Sequence, residues 1–238
     1  MLTLFFVQEL GQGSRVEVSG DEAHHAIKVL RTEVGEEIML SDGSGAYVRG
    51  KVTSVGKKEL QVEVLERGVE KPRTPEIIVI QALMKSDRAK EAIELLTVAG
   101  ASTIIPWQSA RSIAKWHDDL GEKWLATSIT AAKQSRRLIL PVIEPPISTA
   151  HIAKRYAESS NLIILHEGAT TKLSEVAASL VEGPIVFVIG PEGGLTGEEI
   201  GELSSAGGKV TLLGSEVLRS AHAGFAAISA ISALIGRW

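Results

Sequence analysis

The stretch Val186-Phe-Val-Ile-Gly-Pro-Glu-Gly-Gly-Leu-Thr-Gly-Glu-Glu199 predicts a buried strand, a glycine-rich turn and then a helix. Thr196 is placed to cap that helix, and Glu199 three residues later completes a capping box. The turn lacks the Gly-Lys-Ser/Thr of a phosphate loop, and Glu192 within it would repel phosphate at close range. The turn therefore disfavours a nucleotide polyphosphate and suits a cationic or hydroxyl-bearing ligand, which glycine backbone can approach closely.

The same alternation of apolar strands and helices extends through most of the chain and predicts an α/β class with a parallel sheet covered on both faces. Strands are expected at 77–83, 103–106, 138–143, 161–165, 185–189 and 210–213, and helices at 86–99, 116–134, 148–158, 172–180, 196–205 and about 217–235. Ligands of such sheets bind beyond the carboxyl ends of the strands. Two other strand ends run into short polar turns, at 165–168 and 213–219, so three turns are expected to line one crevice.

The first 70 residues show a different pattern, a period of two that is typical of short antiparallel strands. These strands are expected at 2–7, 15–19, 36–41, 46–55 and 59–65. One helix is expected at 21–30, with Asp21 as its N-cap. A small β-barrel with an embedded helix fits this pattern. Pro72 and Pro75 stiffen the segment that follows, so we place the domain boundary there, with domains at 1–71 and 72–238.

The composition narrows the possible functions. The chain has 238 residues, 44% hydrophobic and 23% charged, which is typical of a soluble globular protein. No apolar run is long enough to span a membrane and no secretory signal is evident, so a cytoplasmic protein without membrane association is expected. The absence of cysteine excludes disulfides and thiol nucleophiles. His24 and His25 are adjacent and face different directions on a helix, and no other ligand cluster occurs, so no metal site is expected.

The formal charge of −4 argues against a nucleic-acid partner, since phosphate binding is driven by lysine and arginine. Residues 84–140 nevertheless carry nine basic and six acidic side chains, which leaves a basic middle segment available to RNA. The expected RNA contacts are Lys28, Arg31, Arg49, Lys85, Arg88, Gln134 and Arg136. Lys28 and Arg31 are three residues apart and are expected to share a helix face. Trp107, Trp116 and Trp124 could stack on bases, although core packing is expected for at least two of them.

Several motifs together resemble a known family. The segments Gly190-Pro-Glu-Gly-Gly194, Leu212-Leu-Gly214 and Val217-Leu-Arg219 resemble the SPOUT class of knotted RNA methyltransferases. The stretches that narrow the resemblance to the bacterial 16S rRNA (uracil-N3) methyltransferase family are His24-His-Ala-Ile-Lys-Val-Leu-Arg31, Gln81-Ala-Leu-Met-Lys85, Glu91-Ala-Ile-Glu-Leu-Leu96 and Ala131-Ala-Lys-Gln-Ser-Arg-Arg-Leu-Ile-Leu-Pro141. The resemblance spans essentially the whole chain. It implies a PUA-like RNA-binding barrel, a SPOUT domain with a deep trefoil knot, a homodimer, and 16S rRNA in the small ribosomal subunit as the partner.

The resemblance also implies that S-adenosylmethionine is bound by the three turns of the crevice. The implied cofactor-binding residues are Leu165, His166, Glu167, Gly168, Ile189, Gly190, Pro191, Gly193, Gly194, Leu213, Gly214, Val217 and Leu218. The sequence departs from the family pattern at two positions where an acidic residue is usual, Lys133 and Ala221. At these two positions the chain lacks the carboxylate that members of the family usually carry.

Methyl transfer to uracil N3 requires loss of the N3 proton or stabilisation of the resulting anion. An arginine suits that anion because it stays charged and presents a planar set of donors. The candidates are Arg219, Arg137 and Arg111, with Glu192 as a base or as a partner that orients an arginine. Two alternatives remain open: a ribose 2′-O-methyltransferase of the same superfamily, and a non-catalytic RNA-binding factor in ribosome assembly.

Overall fold

The computed structural model describes residues 2–157, 159 and 161–238, which form two compact units. Unit 1 contains the residues up to Pro72 together with Ala132–Leu140, and unit 2 contains Arg73–Ala131 and Pro141–Trp238. A segment from the middle of the sequence thus folds with the N-terminal unit. The domain boundary placed at 71/72 stays a prediction.

Unit 1 contains one five-stranded sheet. Its strands are β1 (Thr3–Phe6), β2 (Arg15–Ser19), β3 (Glu37–Ser41), β4 (Ala46–Val55) and β5 (Glu59–Val69), in the order β1-β3-β4-β5-β2. All pairs are antiparallel except β1 with β3, which are parallel, so the prediction of antiparallel strands was wrong for β1. The parallel pair is possible because β2 and a helix separate these strands in the sequence. Phe5, Leu40 and Leu60 are fully buried in the core of this unit.

The helix of unit 1 is not a regular α-helix. Helix α1 (Gly20–His24) continues as a π-helical segment over His25–Leu30, and Arg31 ends it in the left-handed conformation, with φ 56°. Its N-cap is Ser19, so the prediction of Asp21 as N-cap was wrong. The shared face predicted for Lys28 and Arg31 assumed regular α-helical spacing, which a π-helical segment does not have.

Unit 2 contains a six-stranded sheet in which every pair of neighbours is parallel. The strands are β6 (Ile77–Ala82), β7 (Thr103–Trp107), β8 (Val142–Ile143), β9 (Leu162–Leu165), β10 (Ile185–Ile189) and β11 (Lys209–Thr211), in the order β11-β9-β10-β6-β7-β8. The helices are α2 (Ser86–Ala99), α3 (Asp118–Ser135), α4 (Thr149–Arg155), α5 (Leu173–Ala177), α6 (Gly197–Ser205) and α7 (Ser220–Leu234). The last residues of α3, from Ala132 on, belong to unit 1. The predicted α/β architecture is confirmed. Helix α4 ends before the predicted limit, Glu158, which lies outside the described residues.

Apolar side chains cover both faces of this sheet. On one face Phe187 of β10 belongs to a core with Leu96 of α2 and Ile228 of α7. On the other face Val188 of β10 belongs to a core with Leu203 of α6. Each such side chain stabilises the fold by about 1.5–3 kcal/mol through burial, which is why these strands read as continuous apolar runs. No helix of the described chain is long and apolar enough to cross a membrane.

Three of the four tryptophans of unit 2 pack in its interior, and the fourth, Trp238, is 59% exposed. Trp107 and Trp124 are buried, and Trp116 is partly buried with its ring edge-on to Trp124 at a centroid distance of 6.1 Å. The expectation of core packing for at least two of them is confirmed.

The apolar run 138–143 was predicted to be one strand, and this was wrong. Ser41 Oγ donates to the carbonyl oxygen of Leu138 at 2.9 Å, and the amide of Leu140 donates to the carbonyl of Gly43 at 2.8 Å, both within unit 1. Only Val142 and Ile143 form a strand, in unit 2. Pro141 stands between the two halves, so the run is divided between two units.

Candidate functional site

A cavity of about 280 Å³ opens in unit 2 beyond the carboxyl ends of β9, β10 and β11. These three strands are neighbours and parallel, so their ends meet at one edge of the sheet. The crevice predicted from the three turns is therefore present. The lining residues are Leu165, His166, Glu167, Ile189, Gly190, Pro191, Glu192, Gly194, Leu195, Leu212, Leu213, Gly214, Glu216, Val217, Leu218, Arg219, Ser220 and Ala223.

The turn after β10 is held closely by its neighbours. Gly194 has a φ of 70°, a conformation that side-chain-bearing residues rarely adopt. Nη1 of Arg111 donates to the carbonyl oxygen of Gly193 at 2.9 Å and lies 3.4 Å from that of Leu195. A Cβ atom at Gly193 would lie 3.3 Å from Cβ of Arg111. The arginine side chain thus follows the turn and binds its backbone.

Glu199 connects the start of α6 to the segment after β7. The predicted capping box is confirmed: Thr196 Oγ1 accepts from the Glu199 amide at 3.1 Å, and Glu199 Oε2 accepts from the Thr196 amide at 2.9 Å. Oε1 of Glu199 accepts from the amide of Ala110 at 2.8 Å. This carboxylate is only 5% exposed, and both of its oxygens have donors, which offsets the cost of burying it. Ala110 precedes Arg111, so two consecutive residues bind the segment 193–199, one at Glu199 and the other at Gly193.

The turn after β9 is closed by a histidine. Nδ1 of His166 accepts from the amide of Gly168 at 3.0 Å, and the amide of His166 donates to the carbonyl of Thr211 at 3.1 Å. A Cβ atom at Gly168 would lie 3.1 Å from the imidazole ring. His166 therefore shapes the turn as well as lining the cavity.

Charged side chains of both signs line the cavity. The lining includes three acidic residues, Glu167, Glu192 and Glu216, and one arginine, Arg219. The side chains of Glu192 and Arg219 are exposed and form no hydrogen bond or ion pair with any described residue. A lining with more carboxylates than cations attracts positive charge and repels phosphate.

Most of the predicted site residues of unit 2 come together. Of the implied cofactor-binding set, all except Gly168 and Gly193 line the cavity, and those two shape its turns. Glu192 and Arg219 line it, while Arg111 contacts the glycine turn from outside the lining. Arg137 belongs to unit 1, with Gln134 and Arg136. The roles of all these residues stay predictions.

The residues predicted to contact RNA fall in both units. Lys28, Arg31, Arg49, Gln134 and Arg136 belong to unit 1, and Lys85 and Arg88 belong to unit 2. Arg136, like Arg31, has a left-handed backbone, with φ 57°. Arg88 forms an ion pair with Glu91 at 2.7 Å, and Glu91 also bonds to Nε2 of His222 at 2.8 Å. The hydrogen bonds from His222 and Arg88 hold the pKa of Glu91 below its usual value.

Five lining residues were missed by sequence reasoning: Leu195, Leu212, Glu216, Ser220 and Ala223. Glu216 lies within the predicted turn 213–219, the other four lie just beyond the ends of the predicted turns, and no spacing rule marks any of them. Ser220 and Ala223 had one signal, since both lie within two residues of Ala221, where the sequence departs from the family pattern. Among the residues that the structure covers, no group of three or more histidine and acidic side chains is placed to hold a metal ion.

Comparison with known proteins gives consistent matches along the chain. A model described as an RNA methyltransferase domain matches residues 70–232, and one described as an RNA methyltransferase PUA domain matches residues 18–65. Ribosomal RNA small subunit methyltransferase E of Mycobacterium bovis is 38% identical over 99% of this chain and 93% of that protein.

Two solved structures have the same fold. Ribosomal RNA small subunit methyltransferase E from Neisseria gonorrhoeae, bound to S-adenosyl methionine, superposes with a TM-score of 0.88 at 27% identity, covering 98% of both chains. A methyltransferase from Legionella pneumophila in complex with SAM superposes with a TM-score of 0.87 at 25% identity, again covering 98% of both chains.

The parallel sheet, the cavity at its edge and the two matched models define an α/β RNA methyltransferase with an N-terminal PUA domain. Within that class, the chain belongs to the ribosomal RNA small subunit methyltransferase E family.

Proposed function

We propose that this protein transfers a methyl group from S-adenosylmethionine to N3 of a uridine in 16S rRNA of the small ribosomal subunit. The observation that carries the proposal is the cavity at the ends of β9, β10 and β11, in a fold whose relative from Neisseria gonorrhoeae is bound to S-adenosyl methionine. The names of the relatives supply the ribosomal substrate. The choice of N3 rests on the family resemblance of the sequence.

The residues present fit S-adenosylmethionine by their chemistry. Its sulfonium and ammonium groups are cationic and its ribose carries hydroxyls, which suit a lining with Glu167, Glu192 and Glu216. A Cβ atom at Gly214 would meet no atom within 4 Å, so the wall is open there. The volume of about 280 Å³ lies near the lower end of the range for small-molecule sites. When bound, the cofactor supplies an electrophilic methyl group.

Two side chains of the protein act on the uracil: one on its N3 proton and one on its negative charge. Glu192 accepts the N3 proton, and Arg219 stabilises the negative charge that remains on the uracil through its oxygens. Both side chains line the cavity, and neither is committed to another described residue. Arg111 shapes the turn that carries Glu192, because it binds the carbonyl oxygen of Gly193. Arg137 in unit 1 remains a candidate for a second cation on the substrate.

RNA binding is assigned to basic side chains of both units, in keeping with the PUA match over residues 18–65. Lys28, Arg31, Arg49 and Arg136 of unit 1 and Lys85 and Arg88 of unit 2 supply phosphate contacts, with Gln134 as a neutral donor. We also propose a cytoplasmic homodimer with a knotted C-terminal domain, on the strength of the family resemblance. Sedimentation equilibrium tests the dimer, and a single monomeric species would contradict it.

The test uses small ribosomal subunits that lack the modification, with S-adenosylmethionine labelled in the methyl group. After digestion to nucleosides, labelled 3-methyluridine is expected. Label in a ribose 2′-O-methyl nucleoside would favour the alternative enzyme of the same superfamily. Calorimetry without measurable S-adenosylmethionine binding, together with intact RNA binding, would favour a non-catalytic assembly factor.

A further inference from the structure

Gln81 is a buried polar side chain in an otherwise apolar strand. It is the fifth residue of β6, all of whose residues are buried, and it is 1% exposed. In the sheet it lies between Ile189 of β10 and Pro106 of β7. Burying an amide costs free energy unless its polar atoms form hydrogen bonds, so packing alone does not account for this residue.

The Gln81 amide begins a series of hydrogen bonds that ends in the cavity wall. Nε2 of Gln81 donates to Oγ of Ser220 at 3.1 Å, and Oγ of Ser220 donates to the carbonyl oxygen of Gly190 at 2.5 Å. A serine hydroxyl has one proton, so donation to Gly190 leaves its lone pairs to accept from Gln81. We refer to these three residues as the Gln81 network.

The orientation of the amide follows from the same count of protons. A rotated amide would place Oε1 of Gln81 against Oγ of Ser220, whose only proton is already donated to Gly190. Two acceptors would then face each other in a buried environment. The Nε2 orientation avoids this contact, and Gln81 then acts as the donor. Nε2 also lies 3.4 Å from the carbonyl oxygen of Ala82, while Oε1 has no hydrogen-bond partner among the described residues.

The Gln81 network joins two walls of the cavity. Gly190 follows β10 and precedes Glu192 by two residues, and Ser220 begins α7 directly after Arg219. Both Gly190 and Ser220 line the cavity, whereas Gln81 does not. Leu195 of the same turn packs closely against Gly190, since a Cβ atom at Gly190 would lie 2.9 Å from Cδ2 of Leu195.

We propose that Gln81 is a positioning residue for methyl transfer, which holds the start of α7 against the turn after β10 through Ser220. The network thereby sets the spacing between Arg219 and Glu192. The inference rests on the proposed function, because these are the proposed cation and base. A small displacement of the reacting groups lowers the rate of such a reaction. Small shifts of α7 are therefore expected to lower turnover.

The test compares kcat and KM for the RNA substrate in five variants. Gln81→Met keeps the size of the side chain without its donors, Ser220→Ala removes the hydroxyl, and Ser220→Thr retains it. The fourth is the double variant Gln81→Met/Ser220→Ala. Ser232→Ala is the matched control, because Ser232 is a buried serine of the same helix whose Oγ has no hydrogen-bond partner among the described residues.

The expected result is a loss of about tenfold in kcat for Gln81→Met and for Ser220→Ala, with the KM for RNA nearly unchanged. The kcat of the double variant is expected to be no lower than that of the less active single variant, because both substitutions disrupt the same network. Ser220→Thr retains the hydroxyl and is expected to recover most of the kcat that Ser220→Ala loses, whereas Ser232→Ala is expected to stay close to the parent protein. If Gln81→Met does not fold, the contrast between Ser220→Ala and Ser220→Thr decides the question.

Three outcomes would overturn the positioning role while the parent protein is active. These are unchanged kcat in Ser220→Ala, equal losses in Ser220→Ala and Ser232→Ala, and losses that multiply in the double variant. A parent protein that yields no methylated uridine contradicts the proposed function instead. Hydrogen exchange then tests the network alone: faster exchange at 190–194 in Ser220→Ala supports the spacing role, and unchanged exchange overturns it.

Discussion

Lys133 near the end of α3 forms an ion pair with Glu22 of α1, within unit 1. Both side chains are 22% exposed, so solvent screens the pair only in part. Lys133 stands where the family pattern usually has an acidic residue. In the structure the Lys133 cation is therefore paired with a carboxylate that lies 111 residues away in the sequence.

Reversing the charge of Lys133 tests this ion pair. Lys133→Glu places two carboxylates together and is expected to lower the free energy of unfolding by about 2 kcal/mol, between typical values for exposed and buried pairs. The charge-swapped variant Glu22→Lys/Lys133→Glu is expected to recover most of this loss. Urea denaturation measures both.

The matched control for this experiment is Lys123→Glu on the same helix. Lys123 pairs with Asp119 at 2.5 Å, but its side chain is 67% exposed, so a change of less than about 1 kcal/mol is expected. A charge-swapped variant as unstable as Lys133→Glu alone would show that the pair does not stabilise unit 1.

The second prediction concerns Arg111. Arg111→Ala removes the hydrogen bond to the carbonyl of Gly193, and about tenfold weaker binding of S-adenosylmethionine is expected because the glycine turn loses its support. Calorimetry measures the affinity. Lys115→Ala is the control, since it removes an exposed charge from the same segment without a contact to the turn. Unchanged cofactor affinity with a lower kcat would instead place Arg111 at the substrate.

The third prediction separates chemistry from RNA binding at Arg219. Arg219→Ala is expected to lower kcat by about 100-fold, because a donor to the developing uracil anion is lost, while the Kd for RNA changes much less. Arg219→Lys keeps the charge without the planar set of donors, and its kcat is expected to lie between those of the parent protein and Arg219→Ala. Equal losses in kcat and in RNA affinity would make Arg219 a binding contact only.

The fourth prediction concerns acid stability and Glu144. Arg155 donates to both of its carboxylate oxygens, at 2.5 and 3.0 Å, and these hydrogen bonds hold the pKa of Glu144 below its ordinary value of 4.5. A lowered pKa in the folded state adds stability that is present above pH 4.5 and is lost as the pH falls through the lowered pKa.

Denaturation at about pH 6 and about pH 3 tests this linkage. Arg155→Gln is expected to be less stable at the higher pH and to lose less stability on acidification than the parent protein. A parallel loss in both proteins would show that the pair contributes nothing to the pH dependence. Lys154→Gln, next in the same helix turn, controls for the loss of a charge.

Local patterns predicted most elements of this protein. Helix α2 (Ser86–Ala99) and strand β10 (Ile185–Ile189) begin and end where periodicity places them, and the capping box of Thr196 and Glu199 forms as its spacing requires. These features depend on neighbouring residues, so a linear pattern contains the information. The π-helical segment His25–Leu30 was not predicted, because its apolar positions also fit an ordinary α-helix.

By itself, the sequence determined the α/β alternation, the glycine turn after β10 and, through resemblance, the family. Only the tertiary structure decided that Leu138–Leu140 fold with unit 1, that Glu22 is the partner of Lys133, and that Gln81 reaches Gly190 through Ser220. The physical reason is distance along the chain. Periodicity reports which face of an element is buried, whereas the partner on that face depends on how elements far apart in sequence pack together.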